Sequence, residues 1–598
     1  MRLSRLPDKF RNRVYVAPVW PPQLPPRPQA NDLMIRGAAL LFCFLTACQT
    51  SSPGAPRDPI AREPSAEQSA AVSAAIVPRP RRVRWHAASF ELHNAPIKFE
   101  RSAMPPEAYV LTAKPRSVTI AAGSRSGFDY GMTTLRQLFG KARIANAVTI
   151  VDGPMYRWRG LHLDVSRHFF PVRVLERYID LAAHYKLNIF HWHLTDNQAW
   201  RLEIKRYPNL TSSASCARAC EFYSQDDVRH LVRYALERNV TIVPEVEMPA
   251  HAGAALRAYP QLACGGGDVM CARRTSLSFV KDVLEEVLAL FPSDYVHVGG
   301  DEAPRDALRY FMPRVEAFLR SHGRTMVAWD DVLGSGVSAG TVITAWNGDR
   351  RAVAAIRQGH NVIMVPDGPL YFDAYQGASF QEPVATSHMA TLEQVYSYDP
   401  TPDGLNAAQR ARILGVEGAV WTEKIRSTKH LFEMVLPRAL ALSEIAWTRP
   451  ERKSWPDFLS RLPRQLSWLR EHGYPFRLPS PSIAVAARMV RFISLRGNTA
   501  SALALTDAGE VNVSIADVAP DVKIRYTLDG SAPTGGSLLY TSPLRLKLVS
   551  AQPRSLIAAA FDDAGTRSET SAVIIRKLSP LSMRQQRGSR SWASLVSP

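Results

Sequence analysis

The stretch Leu187-Asn188-Ile189-Phe190-His191-Trp192-His193-Leu194-Thr195-Asp196 runs from a mostly apolar, strand-like segment into a polar end. A short apolar run of this kind suits a strand buried on both faces, as in parallel sheets covered by helices. Working outward, segments of the same character recur at 160–165, 241–246, 295–298, 325–328, 342–345, 361–365 and 413–420. Amphipathic helical patterns separate most of them, for example 172–185, 225–237 and 306–321. With no Gly-rich dinucleotide loop among them, eight βα repeats predict a closed (β/α)8 TIM barrel rather than an open sheet. After the seventh strand a long segment lacks a clear helix, which predicts an irregular barrel there.

The flanks differ in rhythm. Residues 76–153 carry short strand-like runs at 89–92, 109–112 and 117–121 and a helical stretch at 127–138, the pattern of a small α/β domain. The barrel spans 154–475, closing on a helix near 455–470. Segments 480–577 turn all-β, with strand runs at 511–514, 523–528, 543–548 and 556–561 between Asp-Gly, Pro and Gly turns, which predicts a β-sandwich. The tail 578–598 is basic and Ser-rich and reads as disordered.

Composition narrows the function. Hydrophobic residues make up 46% and charged residues 21% of the 598, which excludes wholesale disorder. The net charge of +19 raises the question of nucleic acid, yet the basic residues form no long run and accompany no zinc-finger or RNA-recognition signature, so no nucleic-acid partner is expected. Within residues 1–48, Met34 opens a leader: Arg36 is a short basic region and residues 38–45 an apolar run too short to span a membrane. Leu45-Thr46-Ala47-Cys48 resembles the lipobox of bacterial lipoproteins, which implies lipidation at Cys48 and contact with the membrane only through that anchor. Gln49 then favours the outer membrane of a Gram-negative bacterium, with the periplasm as the alternative, and residues 49–75 form a flexible tether. Of the remaining cysteines, Cys216/Cys220 and Cys264/Cys271 are the nearest pairs, although four cysteines allow three connectivities. A zinc site is the weaker reading, because neither pair has C-x2-C spacing.

Catalytic groups of a barrel sit at the C-terminal ends of its strands. Here those ends carry Asp164, then His191-Trp192-His193 to Asp196, then Glu245, Glu247 and His251, then Gly299-Gly300-Asp301-Glu302. They continue with Trp329-Asp330-Asp331, Trp346, Tyr371 with Asp373, and Trp421 with Glu423. Adjacent carboxyls after two glycines suit acid/base work: glycine permits close backbone approach, and one negative charge raises the pKa of its neighbour. Tryptophans at several strand ends suit the apolar faces of a sugar ring.

On Trp158-Arg159-Gly160-Leu161 through Asp164-Val165-Ser166-Arg167, on residues 191–198, on Pro244-Glu245-Val246-Glu247-Met248-Pro249-Ala250-His251, on His297-Val298-Gly299-Gly300-Asp301-Glu302 and on Trp421-Thr422-Glu423, the chain resembles family 20 glycoside hydrolases, the β-N-acetylhexosaminidases. Residues 524–531 look like the C-terminal domain of bacterial chitobiases. The resemblance implies an exo-acting, retaining enzyme that removes terminal GlcNAc or GalNAc by substrate-assisted catalysis, without cofactor or metal. It implies Glu302 as acid and base, Asp301 as orienter of the acetamido N–H, and Tyr371 as donor to the acetamido oxygen. Trp329, Trp346 and Trp421 would wall the acetyl pocket, and Arg159, Asp373 and Glu423 would hold ring hydroxyls. Asp196 and His251 would support Glu302.

Glu247 stands where the family usually has Asp, and Ala250 where it has Gly. The N-terminal domain is short for the family, which predicts an incomplete sheet. Two rivals remain at this point: a metal-dependent barrel hydrolase built on His191 and His193 with His251 and the nearby acids, and a catalytically silent sugar-binding lipoprotein.

Overall fold

A computed structural model describes residues 76–577 apart from 92–94, 140–143, 217–219, 378–382, 488, 496–498, 518, 520–521 and 549–551. The leader, Cys48, the tether and the tail lie outside the described residues.

Eight parallel strands close into a barrel in chain order: Trp158–Asp164, Ile189–His193, Thr241–Met248, Tyr295–Gly299, Thr325–Trp329, Val342–Ala345, Val362–Met364 and Ile413–Gly418. The last pairs with the first, with Gly415 opposite Trp158 and Gly418 opposite Leu161. These strands are short, and nearly every residue is buried on both faces. Such strands need an outer layer, which the helices supply from one apolar stripe each. Val172–His184, for instance, buries Val174, Leu175, Tyr178, Ile179, Leu181 and Ala182 at helical spacing. Gln225–Leu236 starts on a reciprocal cap, Ser224 and Asp227 each satisfying the other's backbone N–H. The seventh strand has three residues, and among the described residues no long helix lies between it and the eighth. The chain instead makes the small pair Ala374–Tyr375 with Thr386–Met389 and the short helices Leu392–Ser397 and Ala407–Arg410.

The N-terminal sheet has five strands, in the order Arg82–Glu91, Ile144–Asp152, Tyr109–Lys114, Ser117–Ala122, Ile97–Arg101, with the helix Arg125–Phe139 against it. It is therefore fuller than its short sequence implies. Two strands lack a clear sequence signal, and one of them, Ile97–Arg101, is a mostly exposed edge held by parallel pairing to Ser117–Ala122. Paired buried charges fasten this domain to the closed end of the barrel. Asp152 accepts from the Tyr109 hydroxyl (2.6 Å), Lys186 Nζ (3.1 Å) and Trp447 Nε1 (2.9 Å).

The C-terminal strands form a three-stranded sheet, Ser482–Val485, Glu510–Ala516 and Leu544–Lys547, and a six-stranded one. Glu510–Ala516 alternates exposed and buried residues, so Val511, Val513 and Ile515 join Leu556, Val573 and Ile575 in one core between the sheets. Disulfides join Cys216 to Cys220 and Cys264 to Cys271, the two nearest-neighbour pairs.

Candidate active site

The open end of the barrel is organised around charges that the strands deliver to fixed heights. Asp164, at the end of the first strand, accepts from the backbone N–H and the hydroxyl of Thr422, both at 3.0 Å, and from Ser166 N at 2.8 Å. These bonds tie the turn after the first strand to the end of the eighth. The turn places Arg167 in the mouth, its Nη2 2.7 Å from Asp196 Oδ2 and 3.7 Å from Glu423 Oε1, its guanidinium 5.0 Å from the Trp421 ring centre. Burial opposes its charge, but Asp164, Asp196, Glu423 and Asp301 hold the guanidinium more firmly protonated than usual.

Arg159 is elsewhere, which corrects the role that the resemblance gave it. It lies near the start of the first strand, at the closed end, and is fully buried. All its N–H groups are used: Nε to Lys186 O, Nη1 to Tyr156 O and Glu107 Oε2, Nη2 to Glu107 Oε1 and the Tyr130 hydroxyl. It joins the barrel to the N-terminal domain and has no donor left for a sugar. The arginine among the mouth carboxylates is Arg167, which sequence reasoning passed over although it follows a strand end.

The fourth strand ends in Gly299 and Gly300, both at positive φ (67° and 93°). A Cβ on Gly299 would lie 1.9 Å from the carboxyl oxygens of Glu247, and one on Gly300 would lie 2.6 Å from Val332 Cγ1. Gly300 N donates to Glu247 Oε1 at 2.8 Å, so the longer acid at position 247 reaches directly beneath the glycine pair. Burial, with Asp301 and Glu245 close by, pushes the Glu247 carboxyl well above the usual range.

Asp301 and Glu302 follow, in different surroundings. The Asp301 side chain is 18% exposed and its Oδ1 is buried without a hydrogen-bond partner, whereas the Glu302 side chain is 66% exposed. Burial pushes Asp301 up to about 6, partly offset by His251. The imidazole of His251 beside it holds Glu302 below its ordinary value. The carboxyl with the raised pKa is thus Asp301, and burial more than its neighbour's charge raises it. His251 Nε2 stands 3.4 Å from Glu302 Oε2 and 3.7 Å from Asp301 Oδ2, while Nδ1 is 3.4 Å from Asp196 Oδ1. Burial disfavours the imidazolium, but these three carboxylates raise its pKa to about 11. His251 and Glu302 are themselves held at φ 51° and 50°, a backbone region that costs a residue with a Cβ about 1–2 kcal/mol.

Aromatic residues are held at the same strand ends. Trp329 is buried and donates Nε1 to Glu245 Oε1 (2.8 Å), and Trp346 donates Nε1 to Asp331 Oδ2 (2.8 Å). Trp421 lies with its ring centre 5.9 Å from Trp329 and 6.3 Å from Tyr371. Tyr371 is seated by backbone pairing with Ala419, and burial keeps its phenol protonated well past the usual range. Burial also lifts Asp373 to about 7, and its Oδ1 is buried without a hydrogen-bond partner. Glu423, raised chiefly by burial, stays partly exposed beside Arg167. The structure therefore links Asp196, His251, Asp301, Glu302 and Glu423 through direct contacts, with Arg167 replacing Arg159. Trp329, Trp421 and Tyr371 are joined by ring contacts, Trp346 is held separately by Asp331, and Asp373 lies within electrostatic reach of Glu423.

Among the described residues, two buried groups bring possible metal ligands within 4.8 Å of one another: His162, His191 and Glu245, and His193, Glu245 and Glu247. His251 is in neither, so the rival trio of His191, His193 and His251 is not assembled. His191 and His193 already face carboxylates, at 2.7 Å from Glu417 and 2.5 Å from Glu245.

A closed parallel barrel with adjacent carboxyls of unequal exposure and several aromatic rings at its strand ends suits a carbohydrate-active enzyme. Within that class the chain belongs to glycosyl hydrolase family 20. The family's catalytic domain matches residues 156–309 and 303–450, its domain 2 matches 63–153, and the chitobiase/beta-hexosaminidase C-terminal domain matches 506–572. The chain is 36% identical over 491 residues to a beta-hexosaminidase of Porphyromonas gingivalis, covering 73% of this chain and 61% of that one. It is 32% identical over 405 residues to a beta-N-acetylhexosaminidase of Cellulomonas fimi, covering 63% and 81%. Among solved structures, the exo beta-N-acetylglucosaminidase of Vibrio harveyi in complex with N-acetylglucosamine superposes with a TM-score of 0.64 at 30% identity, covering 68% of this chain and 78% of that one. The chain thus spans less than two thirds of the length of the Porphyromonas relative.

Proposed function

We propose that the protein is an exo-acting, retaining β-N-acetylhexosaminidase that removes terminal GlcNAc or GalNAc with help from the sugar's own acetamido group. The observation that carries this reading is the contrast between Asp301, largely buried with an unpartnered oxygen, and Glu302, exposed beside it. Family membership and the N-acetylglucosamine bound by the Vibrio harveyi relative support the substrate class.

In the first step the acetamido oxygen attacks C1, the C1–O bond to the leaving group breaks, and Glu302 gives its proton to that oxygen. Asp301 Oδ1 accepts the acetamido N–H and stabilises the positive charge that develops on nitrogen, an electrostatic role best played in a dry site. The Tyr371 hydroxyl, protonated throughout the working pH range, donates to the acetamido oxygen. A seated sugar covers Glu302 and raises its pKa by desolvation, so that it carries the proton when the bond breaks. Water then adds to C1, Glu302 takes its proton, and the acetamido group is released. Trp329, Trp346 and Trp421 shape the acetyl pocket. Arg167 replaces Arg159 as the cationic grip on ring hydroxyls, with Glu423 and Asp373 as acceptors.

The division into 76–153, 154–475 and 480–577 belongs to the same proposal, as does export through the leader with a lipid at Cys48. Alanine at Cys48 should move the protein from the membrane to the soluble fraction. The decisive assay is nitrophenol release from 4-nitrophenyl β-N-acetylglucosaminide with and without EDTA, alongside a thiazoline analogue of the intermediate. Activity indifferent to chelator and strongly inhibited by the thiazoline is the expected result. Loss of activity in EDTA would favour the metal-dependent rival, and an inert protein the silent binding lipoprotein.

A further inference from the structure

Beneath the mouth, imidazoles and carboxylates alternate in one connected run. His191 Nδ1 is 2.7 Å from Glu417 Oε1, and its Nε2 is 3.1 Å from Glu245 Oε2. His193 Nδ1 is 2.5 Å from that same Glu245 oxygen, and its Nε2 is 3.1 Å from Asp196 Oδ2. The far side of Asp196 faces His251, which faces Glu302. The run is continuous from the barrel interior to the acid, and all but its last two members are buried.

We propose that His193, seated on Glu245, is a positioning residue that fixes the Asp196 carboxylate and thereby the aim and strength of Glu302 as an acid. This rests on the hexosaminidase reading. Both ring nitrogens of His193 face carboxylate oxygens, so both carry protons and donate. Asp196 Oδ2 is taken by His193 and by Arg167 Nη2, at 3.1 and 2.7 Å. That leaves Oδ1 to accept from Asn197 N at 2.5 Å and to turn toward His251 Nδ1. With His193 gone, one of the two cations pinning Oδ2 is lost, the carboxylate is free to rotate toward Arg167, and His251 loses its fixed partner. The surroundings of His193 agree. Burial disfavours its charge, but Glu245, Asp196 and Asp164 together raise its pKa to about 10.

Two substitutions separate the halves of this contact. His193→Asn keeps an N–H close to the Nδ1 position, toward Glu245, and drops the bond to Asp196. His193→Gln places its N–H near the Nε2 position, toward Asp196. Each is read as the ratio of kcat/KM on 2,4-dinitrophenyl β-N-acetylglucosaminide, whose leaving group needs no proton, to kcat/KM on methyl β-N-acetylglucosaminide, whose leaving group does. The fraction of folded enzyme cancels in this ratio, so a purely structural role leaves it unmoved. The ratio should rise about tenfold or more in His193→Asn and much less in His193→Gln, because only the first weakens acid assistance. An unchanged ratio in His193→Asn, or equal rises in both, overturns the proposal. Should His193→Asn not accumulate, Glu245→Gln removes the charge beneath His193 and is read in the same way, a rise supporting the proposal and an unchanged ratio overturning it. A wild-type protein inert on both substrates overturns the hexosaminidase reading instead.

Discussion

Arg159 and Arg167 flank the first barrel strand, and they differ in what each leaves undone. Arg159, at the closed end, spends every N–H on Glu107, Tyr130 and two backbone carbonyls, and it is fully buried. Arg167, at the open end, leans on Asp164, Asp196 and Glu423, two of them at 3.4 Å or more. Other charged residues at the two ends repeat the contrast. At the closed end Lys186 meets Asp152 and Arg461 meets Glu444 in buried pairs. At the open end Asp301 and Asp373 each keep a buried oxygen without a partner, and Glu302 extends into solvent. Closing every hydrogen bond stabilises a fold, and a substrate needs some left open.

The largest test of the contrast is Glu302→Gln. It should lower kcat/KM on an unactivated glycoside by about 10³-fold or more, measured at constant pH, with little change in melting temperature because the side chain is exposed. The crossed pair of arginine substitutions comes next. Arg167→Gln should cost about 10²-fold in kcat/KM while the protein stays folded. Arg159→Met should do the reverse, costing about 3 kcal/mol of stability in denaturant unfolding while kcat/KM per folded molecule stays near wild type. If Arg159→Met abolished activity in folded protein, the division of labour between the two ends would be wrong. The smallest effect is on pH dependence. In the proposed mechanism Asp301 is ionised when it holds the acetamido N–H, and burial raises it to about 6. The kcat/KM on the dinitrophenyl substrate should therefore fall as pH drops through about 6. A profile flat down to pH 4 would remove Asp301 from that role.

The barrel is legible in the sequence because each strand is a short, doubly buried apolar run ending in polar residues, and this pattern survives without any long-range information. The mouth residues are legible for the same reason. Direction along the strand, used consistently, also distinguishes the arginines: Arg159 precedes the apolar core of its strand and Arg167 follows Asp164. A motif match alone hides that difference. Ile97–Arg101 is not legible, since an exposed edge strand needs no apolar face and is held by its neighbour's backbone. Nor is the contact of His193 with Glu245, which joins residues 52 positions apart. Periodicity places each on its strand but does not show that the two stand opposite one another on neighbouring strands. The environments of Asp301 and Glu302 differ through burial, which adjacency in sequence does not reveal.

One consequence follows from the left-handed backbone at His251 and Glu302. His251 and Glu302 both sit in a conformation that the rest of the barrel must hold against its own preference, at about 1–2 kcal/mol each. Selection for thermal endurance alone would replace the pair with glycine or asparagine. Histidine and glutamate at these two positions are a standing tax on the fold, and the proposed turnover is what they would serve. A laboratory lineage bred only for heat resistance should lose activity at these two positions first.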